Sequence, residues 1–219
     1  MKKLFKYGSF GVFFIPVTFL LIMWLVKIIE VQFSFSFIKF GVFPQSFEGL
    51  KGVLFSPFIH KNFTHLFNNS YPILILGVLL FYVYRKIAVE IFIWLFFISG
   101  FWLWIIGRQS FHIGASGIIY ALASFLIISG IIRKDTRLSA VSLIIIFLYG
   151  SLIWGIMPIK ESISWEGHLA GFAAGILVAI FYRNNGPQRK KYQWEIEEEL
   201  EEQAKSESNS INYILKEKK

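Results

Sequence analysis

Apolar residues arrive in six long, almost uncharged blocks, at 9–26, 65–84, 91–107, 114–132, 138–157 and 167–182. An α-helix rises about 1.5 Å per residue, so crossing a hydrocarbon layer about 30 Å thick takes roughly 20 mostly apolar residues, with a range near 17–25. The blocks meet that length or nearly so; the sixth is the shortest and carries a histidine. The pattern predicts an all-α polytopic membrane protein, a bundle of six transmembrane helices. The connection 31–64 reads differently. It is rich in Phe but broken by Lys39, Glu48, Lys51 and Lys61, too polar to span and amphipathic enough to lie in the membrane interface.

Composition agrees, since only 16% of the 219 residues are charged and 55% are hydrophobic, against roughly a quarter charged in soluble domains. The first block follows Lys2, Lys3 and Lys6 as a secretory signal would. It is long enough to span, lacks a small-residue cleavage signature and ends in Lys27 and Glu30, so it reads as a retained helix. After the sixth block, Asn184-Asn185-Gly186-Pro187 stops the helix and Arg189-Lys190-Lys191 anchors it. The acidic run 195–202 then predicts a short solvated helix or disorder. The organisation expected is a cytoplasmic segment 1–8, a six-helix domain 9–183 and a charged cytoplasmic tail 184–219.

The formal charge of +8 fits anionic headgroups and topology control better than nucleic acid, because the cations sit in short loops between apolar blocks. With the N-terminus inside, the inner segments hold Lys2, Lys3, Lys6, Arg85, Lys86, Arg133, Lys134, Arg137, Arg183, Arg189, Lys190 and Lys191. The outer ones hold Lys27, Lys39, Lys51, Lys61, Arg108 and Lys160. This asymmetry puts both termini in the cytoplasm, so the second, fourth and sixth helices all begin at the outer face. Cysteine is absent, which excludes disulfides and thiolate chemistry.

Polar side chains within spans are costly and mark candidate function. Here they gather at the outer starts of those three helices: His65-Leu66-Phe67-Asn68-Asn69, Gly114-Ala115-Ser116-Gly117 and Trp165-Glu166-Gly167-His168. Shared depth brings His65, Asn69, Ser116 and His168 to one level. Each has a plainer reading: a lone serine often bonds its own backbone, and glycines can be only packing surfaces. The packing reading assists the chemical one. Gly167, Gly171 and Gly175 form one stripe of the sixth helix, and Gly117, Ala121 and Ser124 line the fourth. Close approach of the two would carry His168 toward Ser116. Glycines around Ser116 permit a tight entry into a helix whose N-terminal N–H groups favour a developing oxyanion. His65 and Asn69, four apart, share a face and could donate to the same oxyanion.

Gly114-Ala115-Ser116-Gly117 with Tyr120, His168-(two residues)-Gly171-(three residues)-Gly175, and His60-(four residues)-His65-(three residues)-Asn69 resemble, in order and spacing over 54–182, the motifs of the rhomboid family. The resemblance implies a bacterial-type intramembrane serine protease acting on transmembrane substrates near the outer edge of the bilayer, in the bacterial cytoplasmic membrane. It implies Ser116 as nucleophile and His168 as general base and acid, with Asn69, His65 and the Ser116 N–H as oxyanion hole. Tyr120 would pack on His168, and Gly114, Gly117 and Gly171 would support the geometry. No cofactor, metal or nucleic-acid partner is expected.

Three other readings differ in what they require. An inactive rhomboid-like binder of transmembrane segments would lack the serine or the histidine. A transporter would carry charges near helix midpoints and an internal repeat. A metalloprotease would need a HExxH-like pair, and His60, His65, His112 and His168 have no such spacing.

Overall fold

The computed structural model describes residues 11–159, 163–189 and 192–217. The six apolar blocks appear as α1 (Gly11–Gln32), α3 (Phe63–Val83), α4 (Ala88–Ile106), α5 (Ser116–Arg133), α6 (Thr136–Tyr149) and α7 (Trp165–Phe181). A short α2 (Gly52–Phe55) lies in the first connection, and α8 (Gln193–Glu217) follows the bundle. Four helices, α1, α3, α4 and α5, are long and apolar enough to cross a membrane, while α6 and α7 are shorter apolar helices. Among the described residues, β pairing is confined to one antiparallel bridge, Val42 with His112. The segment 1–8, Lys160, Lys190 and Lys191, which enter the charge asymmetry, lie outside the described residues.

Helix limits follow local chemistry. Asn62, extended at φ −152°, accepts the His65 N–H on its side chain and starts α3 two residues before the expected His65. Lys134, left-handed at φ 51°, stops α5, and Asp135 caps the first N–H groups of α6. The expected end of the first block at Val26 is corrected: α1 runs on to Gln32. Lys27 and Glu30 do not terminate it because they neutralise one another at 3.0 Å, one turn apart and both buried. The fifth block ends as an α-helix at Tyr149 and continues as a 3₁₀ turn, Gly150–Ile156.

At the centre stands α5: 67% of its spanning window is buried, against 28% for α1 and α4. Its most extensive neighbour is α7. Lipid supplies no hydrophobic drive between helices, so this contact depends on close packing. A Cβ built on Gly171 would lie 2.0 Å from the Gly117 carbonyl oxygen, and one on Gly175 would lie 2.3 Å from that of Ala121. Ser124 Oγ donates across the seam to the Phe172 carbonyl at 2.9 Å. Gly167 departs from the expected stripe, since its missing Cβ faces Ser164 and Leu103 of α4. At the other end of α5, buried Arg133 donates to the carbonyls of Tyr182, Asn185 and Pro187 and closes α7.

The chain divides into two compact units, Met1–Gln188 and Arg189–Lys219. In the second, α8 spans 25 residues, well beyond the short solvated helix expected. Glu, Gln, Ala and Lys are strong helix formers, and Arg189 pairs with Glu195 at its start.

Candidate active site

The N-terminal ends of α3, α5 and α7 meet at one end of the bundle. Ser116 is the first residue of α5 and His168 lies in the first turn of α7. His168 Nε2 and Ser116 Oγ are 2.9 Å apart. The other ring nitrogen, Nδ1, is 2.8 Å from the Gly155 carbonyl oxygen. A carbonyl can only accept, so Nδ1 carries the proton and donates to it. Nε2 is therefore the bare nitrogen, and the Ser116 hydroxyl donates to it. Tyr120, one turn beyond Ser116, stacks on the imidazole with centroids 4.2 Å apart and planes within 10°. The ring is fixed on a face and an edge.

Gly114 holds a backbone that other residues rarely adopt, φ +108°. A Cβ there would also stand 2.8 Å from His65 Cε1 and 2.9 Å from Nε2, with Asn69 Nδ2 at 3.9 Å. Both side chains therefore flank the turn two residues before the serine. Asn69 is buried, and its amide also donates to the His65 carbonyl at 2.9 Å. The first N–H groups of α5, including that of Ser116, have no acceptor within their own helix. Gly117 lies in the seam, where a Cβ would be 3.3 Å from the Gly167 carbonyl. The residues singled out from sequence thus form one constellation.

A second tier was not foreseen. Gly155 belongs to the 3₁₀ turn after α6, and a Cβ on it would lie 2.0 Å from the Tyr120 hydroxyl. Only its place in a Gly150–Gly155 pair could have hinted at close approach. His112 joins three segments. Its backbone pairs with Val42, Nδ1 lies 2.6 Å from Ser164 Oγ, and Nε2 lies 3.0 Å from the Arg108 carbonyl. Arg108 in turn donates to the Ile163 carbonyl and faces buried Glu166 at 3.6 Å. Together they bind the first connection and the loop before α5 to the start of α7.

His60 is also buried beside the site, its ring edge-on to His65 with centroids 5.0 Å apart. Neither ring nitrogen has a partner in good hydrogen-bond geometry, and the neighbouring Phe58 backbone opposes the shift only in part. Burial, then the neighbouring His65, hold its pKa down at about 3. A histidine held below its ordinary value stabilises the fold only while neutral. That contribution is complete above about pH 6.5 and drains away as pH falls toward about 3. The thermal midpoint in detergent should fall across this interval. In His60→Phe the loss of stability across the interval should be smaller, by up to about 5 kcal/mol. Equal slopes in the two proteins would show that this proton uptake is not what acid acts on.

Residues 48–185 match the family model described as Rhomboid domain, well over half of the chain. This protein belongs to the rhomboid family. Among relatives, uncharacterized proteins of Mycobacterium tuberculosis and Mycobacterium bovis are each 33% identical over 187 residues, covering 79% of this rhomboid and 75% of the relative. An uncharacterized protein of Mycobacterium leprae is 32% identical over 185 residues, covering 79% and 71%. This rhomboid is accordingly an integral membrane protein with bacterial relatives, in contact with the lipid bilayer.

Proposed function

We propose that this rhomboid is a serine endopeptidase cutting transmembrane-segment substrates near the outer face of the membrane, with both of its termini cytoplasmic. The observation that supports it most is the 2.9 Å contact between Ser116 Oγ and His168 Nε2, in the one tautomer that can take the hydroxyl proton.

As Oγ attacks the scissile carbonyl, its proton passes to Nε2, and the carbonyl oxygen becomes an oxyanion. The Ser116 N–H, with His65 and Asn69 beside it, is placed to receive that charge at the positive end of α5. The imidazolium returns the proton to the leaving amine as the C–N bond breaks. Water, deprotonated by the same nitrogen, then releases the acyl group. Gly155 and Tyr120 act where a carboxylate would otherwise orient the base.

The test is cleavage of a transmembrane reporter in liposomes by purified protein. Wild type should cut it, and an organofluorophosphonate should block cutting with one adduct on Ser116. A folded protein that binds the reporter without cutting it would instead be an inactive rhomboid-like binder. The oxyanion assignment is tested on two neighbours. Asn69 is buried and Asn68 exposed, about 100° apart around the helix. Asn69→Ala should lower kcat by about 10²–10³ and Asn68→Ala should leave it nearly unchanged. Equal losses would place the donor on the wrong face of α3.

A further inference from the structure

We infer that Lys27, on α1 and outside every motif of the site, is a positioning residue that sets the proton of His65 through the His60–Lys61 peptide. Lys27 is buried, 8% exposed. Its ammonium has three acceptors for three protons: Glu30 Oε2 at 3.0 Å, the His60 carbonyl at 2.9 Å and the Lys61 carbonyl at 3.2 Å. The second Glu30 oxygen accepts the Phe37 N–H at 2.8 Å, so the pair also ties down the start of the first connection. Buried ion pairs are weak contributors to stability, and apolar residues of similar size often do as well. What the ammonium touches is more informative.

The carbonyl of His60 and the N–H of Lys61 are two ends of one peptide group. The carbonyl takes the Lys27 proton; the N–H points at His65 Nδ1, at a long 3.5 Å. A cation on an amide oxygen polarises the amide and strengthens its N–H as a donor. An N–H cannot accept, so it selects the His65 tautomer with Nδ1 bare and the proton on Nε2. Nε2 is the nitrogen that lies against Gly114, 2.9 Å from where a Cβ would stand. Lys27 thereby turns a side chain able to donate from either nitrogen into one that donates toward the turn before Ser116. The kinetic consequence rests on the protease reading; the tautomer does not.

The histidine ring nitrogens of isotope-labelled protein in detergent micelles give the decisive reading, since the chain has four histidines and His65→Gln identifies the signal. Above neutral pH, wild type should show His65 protonated on Nε2, and Lys27→Met should show a mixture of tautomers. Lys27→Arg, which keeps the cation and its donors, should restore the wild-type signal. On the reporter, Lys27→Met should lower kcat about 10-fold, less than loss of a whole donor, with KM within about twofold. In a His65→Gln background it should cost nothing further. Should Lys27→Met not accumulate in membranes, Lys27→Gln, an uncharged donor, is expected to give a smaller shift of the same kind. An unchanged His65 signal in either variant, or an equal kcat loss with and without His65, would overturn the inference. Absence of cleavage by wild type would instead remove the protease reading and leave the tautomer result standing.

Discussion

Replacing Ser116 by Ala is expected to reduce cleavage of a transmembrane reporter by on the order of 10⁴-fold or more, and His168→Ala should do the same. In the proposed mechanism the two groups act in one proton transfer, so losing either leaves the other without a partner. The double variant should therefore be no slower than the worse single one. Neither loss should come from unfolding. Ser116 occupies the first position of α5, where its Oγ meets His168 of α7 but fills no packed core, and alanine is a good helix former there. His168→Ala also removes the face on which Tyr120 stacks, so its thermal midpoint must be measured beside its rate. Substantial turnover by inserted, folded Ser116→Ala would eliminate the serine mechanism.

The second large effect is expected where no group of the chemistry changes. Gly171→Ala adds a single methyl, but that methyl would sit 2.0 Å from the Gly117 carbonyl oxygen, well inside van der Waals contact. The clash is with backbone at the first turn of α5, which no rotamer change relieves. Either α7 moves off α5 or the fold gives way. A displacement near 1 Å between base and nucleophile can cost on the order of 10²-fold in rate. Gly171→Leu should be worse, with lost accumulation in the membrane. Leu169→Ala, on an exposed face of the same helix, is the matched control and should remain active. Wild-type turnover in Gly171→Ala would show that the seam is looser than these distances require.

Much of this fold was readable because bilayer thickness imposes a length that the sequence displays openly. The six apolar blocks and the six helices correspond, and the family shows in motifs whose spacing is local. Polar residues at the starts of the second, fourth and sixth blocks pointed to one end of the bundle, where His65, Asn69, Ser116 and His168 lie together. Ends were less legible. Lys27 and Glu30 looked like the edge of a span, because a charge in a hydropathy pattern carries no record of its partner. The glycine stripe was legible as a period of four, but not the rotation that turns Gly167 toward Leu103. The second tier escaped altogether. Gly155 and Lys27 act across 13 and 33 positions of sequence through backbone carbonyls that every residue type possesses, and His112 meets Ser164 side chain to side chain across 52.

The partner that orients His168 is the Gly155 carbonyl, an atom of the main chain. A carboxylate in that place could be deleted by one substitution and would appear in any alanine scan. A peptide oxygen cannot be deleted, so an alanine scan can remove Ser116 or the His168 ring but never this acceptor itself. Its identity lies in where the 3₁₀ turn after α6 is held, which makes the path of that turn, rather than any side chain on it, the heritable part of the ring's orientation.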